Sequence, residues 1–141
     1  MSVSSLTEER FISITTYKRD GSTASTAVWV MSDDERRLLV RTGAQTWKAK
    51  RIRRDPRVLV AASSASGKEK GPQIPGKARF LDPSEGPLVE QLADRKYGFL
   101  KKLSDGSIRL TSMIKRKQPE FVYLEITDRD EAGAEAGQQQ V

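Results

Sequence analysis

At 141 residues the chain has the length of a single domain, and a composition of 36% hydrophobic and 31% charged residues predicts a modest core beneath much polar surface. It contains no Cys and no His, which excludes disulfides, thiolate nucleophiles, imidazole bases and the usual zinc ligand sets. The net charge is +6, and because four acids and one Arg lie from Asp128 onward, residues 1–127 carry a surplus of nine positive charges. Such a surplus attracts nucleic acid, an anionic membrane surface or a phosphorylated cofactor.

The opening MSVSSLTEER has no basic stretch leading into an apolar run, and no segment approaches the roughly 20 apolar residues of a bilayer span. A cytoplasmic protein without membrane association is expected. Phe11–Tyr17, FISITTY, is rich in β-branched and aromatic residues and ends at KRDG, where Asp-Gly signals a hairpin. Residues 22–31 form the returning strand, with small side chains in the first half and bulky ones in the second. After the polar turn SDDE, residues 36–42 give a third strand. Thr46 stands as an N-cap, and Trp47–Arg54 reads as a short helix stopped by Asp55-Pro56. Residues 57–63 are an apolar strand, and residues 74–81 another, interrupted near its start by Pro75 and Gly76.

Asp82 and Pro83 open the one long helix, whose Leu88, Leu92 and Phe99, with Val89, Ala93, Leu100 and Leu103, recur at helical spacing and predict a face that caps a sheet. Residues 108–118 are ambiguous, and residues 120–127 form the last strand. Residues 128–141 read as a disordered acidic tail, leaving residues 1–127 as the folded domain. The order β-β-β-α-β-β-α-β with tight turns argues for an antiparallel sheet or small barrel.

From Arg41 to Val58 the chain holds seven Lys or Arg and one acid, Asp55. Lys48 falls in the first turn of the short helix, where the exposed N–H groups and the macrodipole already present positive charge. Without an anion, Lys is there the wrong sign. With one, the N–H groups, the Thr46 hydroxyl and the Lys48 ammonium all converge on it, and a phosphate fits. Exposure to water would equally relieve the charge. Lys50, Arg51, Arg53 and Arg54 occupy several faces of a helix about two turns long, so at most one or two of them reach the same anion, Lys50 among the candidates.

The segments RFISITTYKRDGSTASTAVWV, LLVRTGAQTWKAKRIRRDPRVLVAA, GPQIPGKARFLD, RKYGFLKKL and VYLEIT, in that order, resemble the flavin/deazaflavin-binding split β-barrel superfamily of pyridoxamine 5′-phosphate oxidase, and within it the coenzyme F420-dependent branch of actinobacteria. The resemblance spans residues 10–127. It implies a mainly β fold with α: a six-stranded antiparallel split β-barrel, the FMN-binding split barrel, with a short phosphate-site helix and a longer capping helix. It also implies a homodimer with the cofactor at the subunit interface. By this likeness Lys48 and Thr46 hold the cofactor phosphate, and Arg41, Thr42 and Gly43 line the phosphate and ribityl region. Thr26, Ala27, Val28 and Trp29 then lie along the ring system. Two departures stand out: Ala27 replaces a Pro of many relatives, and Trp47 replaces an Arg that donates to phosphate in pyridoxamine phosphate oxidases, which argues against that activity.

Trp29 on a central strand suits the core as well as a ring border, and Tyr97 and Phe99 suit packing. Lys68, Lys70 and Lys77 meet either water or the anionic end of a long cofactor. The resulting expectation is a deazaflavin (coenzyme F420)-dependent oxidoreductase that passes a hydride between the cofactor ring and a small organic substrate, with no catalytic side chain and no metal. An FMN-binding oxidoreductase or flavin carrier of the same fold is the alternative. A basic nucleic-acid-binding barrel is disfavoured, because aromatic content is 6% and no strand interleaves exposed aromatic and basic residues.

Overall fold

The structure, a computed structural model, describes residues 2–33, 36–98, 102 and 120–129. Six strands form one antiparallel sheet: β1 (Phe11–Tyr17), β2 (Thr23–Trp29), β3 (Leu38–Gly43), β4 (Arg57–Ala62), β5 (Ile74–Phe80) and β6 (Phe121–Asp128). Helix α1 (Trp47–Arg54) lies between β3 and β4, and α2 (Gly86–Tyr97) follows β5. The β1–β2 hairpin closes through the Asp20 carboxylate, which accepts the Ser22 N–H and hydroxyl, and through Gly21 at φ +88°. That backbone conformation favours glycine.

The strand order is β2-β1-β4-β5-β6-β3, so β2 and β3 are the two edges. The sheet curls until those edges approach one another. Alternate residues then meet inside: Ile12 lies opposite Val28 and Ala62, and Val40 opposite Leu124. Ile12, Ile14, Val58, Val60, Leu124 and Ile126 share this core with Ile52 from α1 and with Val3 and Leu6 from the 3₁₀ turn Val3–Leu6. Each such side chain contributes roughly 1.5–3 kcal/mol on burial. Gly76 belongs to the close packing, since a Cβ there would meet Ile126 Cγ2 at 2.9 Å. The expected break at Pro75 and Gly76 is absent: β5 runs through both, with Pro75 as its second residue.

Among the described residues the two edges are stitched at one point, where Met31 and Leu39 exchange N–H···O bonds of 2.8 Å each. Beyond it, toward Gly43 and the start of α1, no ladder joins β2 to β3 among the described residues. The barrel is therefore split, and the opening lies beside α1.

Helix α2 packs on the outer face through Val89, Ala93 and Tyr97, against Met31, Leu39 and Leu81. Of the stripe read from sequence, Val89 and Ala93 are buried as expected, whereas Leu92 is only partly buried and Leu88 is exposed. The reason is Gly86, whose hydrogens sit against the Tyr123 ring, so close that a Cβ would come within 2.8 Å of Cε2. This close approach fixes the helix's rotation. Phe99, Leu100, Leu103, residues 108–118 and residues 130–141 lie outside the described residues. Asp128, assigned to the tail from sequence, is the last residue of β6, and its carboxylate accepts the Val3 N–H and the Ser2 hydroxyl at 2.7 Å.

Candidate functional site

Helix α1 begins where the sequence places it. The Thr46 hydroxyl accepts the Ala49 N–H at 3.3 Å and donates to the Gly43 carbonyl at 2.9 Å, and at the other end the Asp55 N–H bonds to the Arg51 carbonyl. Ala49 and Ile52 face the core. Thr46 was expected to offer its hydroxyl proton to an anion; that proton is directed to Gly43, so Thr46 shapes the helix start rather than donating outward.

Lys48, the second residue of α1, is half-buried, and among the described residues no carboxylate or carbonyl pairs with its ammonium. Burial alone pushes its pKa below the ordinary lysine value. The backbone N–H groups of Trp47 and Lys48 likewise have no acceptor among the described residues, as the first turn of a helix dictates. A half-buried cation and two donors without acceptors among the described residues, at a helix start, are the arrangement that suits an anion.

Three hollows adjoin this point. The first, about 270 Å³, opens at the split between β2 and β3; Phe11, Trp29 and Phe121 give it aromatic walls, and Ala27, Val28, Arg41, Thr42, Gly43 and Lys48 complete it. The second, about 170 Å³, has Lys48 as a common wall and presents Thr16, Ser25, Thr26 and Thr46 together with Arg51. The third, about 400 Å³, shares Trp47 and Arg51 with the second and adds Lys18, Arg19, Lys50 and Arg54. Trp47 is 69% exposed, with Lys50 Nζ 4.8 Å and Arg51 Cζ 5.8 Å from its ring centre. The hollows thus run in series along α1: aromatic, hydroxyl-lined, basic.

Of the residues selected from sequence, Ala27, Val28, Trp29, Arg41, Thr42, Gly43 and Lys48 meet in the first hollow, and Thr26 and Thr46 join Lys48 in the second. Lys50 stands apart, in the third. Trp29 is both wall and packing residue: its ring stacks on Tyr97 at 4.4 Å with 9° between planes. The Tyr97 hydroxyl accepts the Val30 N–H at 2.9 Å and lies 2.8 Å from the Arg10 carbonyl, and burial pushes its pKa up to about 12.

Sequence reasoning missed Phe11 and Phe121, each the first residue of its strand, and missed Glu90. The Arg41 side chain is 8% exposed, its Nη1 3.2 Å from Glu90 Oε1 and its Cζ 4.3 Å from the Phe121 ring centre. Glu90 also accepts the Tyr123 hydroxyl at 2.7 Å. Nothing in the chain announces Glu90, an acid among polar helix residues. Among the described residues no group of three or more carboxylates is placed to hold a metal, and no helix is long and apolar enough to cross a membrane.

Residues 3–127 match the family model described as pyridoxamine 5′-phosphate oxidase. The chain belongs to that family. The curled six-stranded sheet agrees with its split barrel, a flavin-binding fold. Among solved structures, a protein of unknown function from Agrobacterium tumefaciens is 16% identical with a TM-score of 0.63 over 88% of this chain, which spans only 51% of that protein. A protein described as an F420 reductase is 18% identical with a TM-score of 0.58, covering 89% of this chain and 92% of its own. A pyridoxamine 5′-phosphate oxidase-related, FMN-binding protein from Nostoc punctiforme is 18% identical with a TM-score of 0.52, covering 86% and 73%. At these identities the likeness is one of fold. No curated protein matches the chain.

Proposed function

We propose that the chain binds the deazaflavin coenzyme F420, as a homodimer, and acts as an oxidoreductase on a small organic substrate. The observation that carries this reading is the series of three hollows joined at Lys48, Arg51 and Trp47. A planar ring suits the aromatic hollow, which Phe11, Trp29 and Phe121 wall with flat faces. The cofactor's phosphodiester suits the start of α1, where Lys48 and two N–H groups have no partner among the described residues. FMN would end there and leave the third hollow unused. The deazaflavin coenzyme continues into a tail of glutamates, and the third hollow supplies five cations and an exposed indole for such a polyanion.

When bound, the cofactor supplies hydride chemistry; the chain supplies orientation and electrostatics. Trp29, braced by Tyr97, and Phe121, covered by Arg41, form stiff walls for the ring. The aromatic hollow is walled on one side by Ala27, Val28 and Trp29 of β2, an edge strand that no ladder joins to β3 among the described residues. A second copy of the chain lying on that edge would cover the ring and exclude water, which is the basis for proposing the homodimer.

The test is a titration of the purified protein with coenzyme F420 and with FMN, for the unmutated chain and for a Lys18→Ala, Arg19→Ala double variant. Both of these cations line the third hollow alone. The reading requires tighter binding of the deazaflavin, and a loss in the double variant that affects the deazaflavin and spares FMN. Tighter binding of FMN by the unmutated chain would overturn the cofactor and favour an FMN protein of the same fold.

A further inference from the structure

The first hollow contains two cations that differ in kind. Lys48 has no partner among the described residues, whereas the Arg41 guanidinium is held by Glu90, with Nη1 3.2 and 3.4 Å from the two carboxylate oxygens. Glu90 is itself fixed by the Tyr123 hydroxyl at 2.7 Å, and Tyr123 is the residue opposite Arg41 in the β3–β6 ladder. The guanidinium lies 4.3 Å from the centre of Phe121 and 6.0 Å from that of Trp29, two of the three aromatic walls. A charge in such surroundings is weakly screened, so its field extends into the hollow. Glu90, bonded to the guanidinium, subtracts from that field and holds its source in place.

We propose that Glu90 is a positioning residue: it locks Arg41 against the aromatic walls and sets how strongly the hollow favours a planar ring that carries negative charge. This deepens the proposed cofactor reading and rests on it, since it takes the aromatic hollow to be the ring site. Glu90→Gln removes the opposing charge while keeping an acceptor for Tyr123 and Arg41. Arg41→Met removes the cation while keeping much of the side-chain length. The double variant removes both charges and restores the original balance.

The ring's own acidity is the measuring device. The deazaflavin carries an acidic ring hydroxyl whose deprotonation changes its absorbance, and an opposite charge within about 4–6 Å shifts such a group by about 1–3 pH units. With bound coenzyme F420 titrated spectroscopically, Glu90→Gln lowers the ring pKa by about one pH unit relative to the unmutated complex, Arg41→Met raises it by a similar amount, and the double variant falls between them, near the unmutated value. Lys48, the other cation of the hollow, is common to all four proteins and cancels. If all four bind the coenzyme and share one ring pKa, Arg41 and Glu90 do not act on the ring, and the proposal is overturned while the cofactor reading stands. If the double variant departs from the unmutated value as far as a single variant does, structural disturbance rather than charge balance is the cause, and the proposal again fails. Absence of coenzyme binding by the unmutated chain would overturn both.

Discussion

Among the described residues two lysines, Lys48 and Lys96, have a pKa lowered by desolvation, and they differ in what surrounds the ammonium. Lys96, at the end of α2, seats its ammonium on the carbonyls of Thr7, Glu9 and Val30 at 3.1, 2.6 and 2.7 Å. Lys48, at the start of α1, has no acceptor among the described residues. Desolvation lowers the pKa of both, opposed at Lys96 by Glu8 and Glu9 and at Lys48 by nothing resolved. The position on the helix accounts for the difference. Lys96 is in the last turn, where a cation complements the macrodipole; Lys48 is in the first, where it opposes it. Lys96 ties three segments together, while Lys48 is the residue we propose meets an anion from outside the chain.

The comparison breaks most sharply by removing each ammonium in turn. Lys96→Met removes a charged donor from three carbonyls, of which that of Val30 keeps the Tyr97 hydroxyl at 3.0 Å, and the fold is expected to lose about 2 kcal/mol, read as a lower urea midpoint with unchanged slope. Indifference of the midpoint would show the three bonds to be surface decoration. Thr46→Ala removes the cap that starts α1 and is expected to cost about 1 kcal/mol and to weaken cofactor binding, because the N–H groups beside Lys48 are then no longer held in place. Lys48→Met should leave the midpoint unchanged or raise it by a few tenths of a kcal/mol, since an unpaired charge in the first turn is relieved. A loss like that of Lys96→Met would mean that Lys48 has a structural partner.

The smallest effect is the pH dependence. Because the folded-state pKa of Lys48 lies below the ordinary lysine value, the unfolded chain binds more protons in the interval between them, and stability rises with pH through that interval. The advantage of Lys48→Met is therefore fully present below the interval and closes as pH approaches the ordinary value of 10.5. Melting temperatures of both proteins across that range should converge; parallel curves would contradict the desolvated lysine.

What was legible in the chain was local. Phe11–Tyr17 announces itself by β-branched content, and Trp47–Arg54 by Thr46 before it and Asp55-Pro56 after it, and both have the bounds read from sequence. The wrong sign of Lys48 needed only the helix boundary. The split needed the strand order, a matter of pairing between residues far apart, and no turn signal encodes which edges end up facing. The face of α2 was legible in part: Val89, Ala93 and Tyr97 pack as read, but Leu88, read onto the same stripe, is exposed, because the close contact of Gly86 with Tyr123 bears on the helix's rotation. Lys50 could have been separated from Lys48 beforehand: two residues on a helix are roughly 200° apart, which puts them on opposite sides. Glu90 acquires its meaning only when β3, β6 and α2 are brought together.

Lys48, we propose, is reserved for the phosphate of the cofactor. The most direct test is the dissociation constant of coenzyme F420 for the unmutated chain, for Lys48→Ala and for Lys77→Ala, at low and at high salt. Lys77 is an exposed cation on β5 that lines none of the three hollows. A charge-assisted hydrogen bond contributes about 1.5–3 kcal/mol, so Lys48→Ala should weaken binding roughly ten- to a hundredfold at both salt concentrations while Lys77→Ala stays close to the unmutated value. Equal losses for the two variants, vanishing together at high salt, would mean that only the general positive charge of the chain attracts the cofactor and would contradict the assignment.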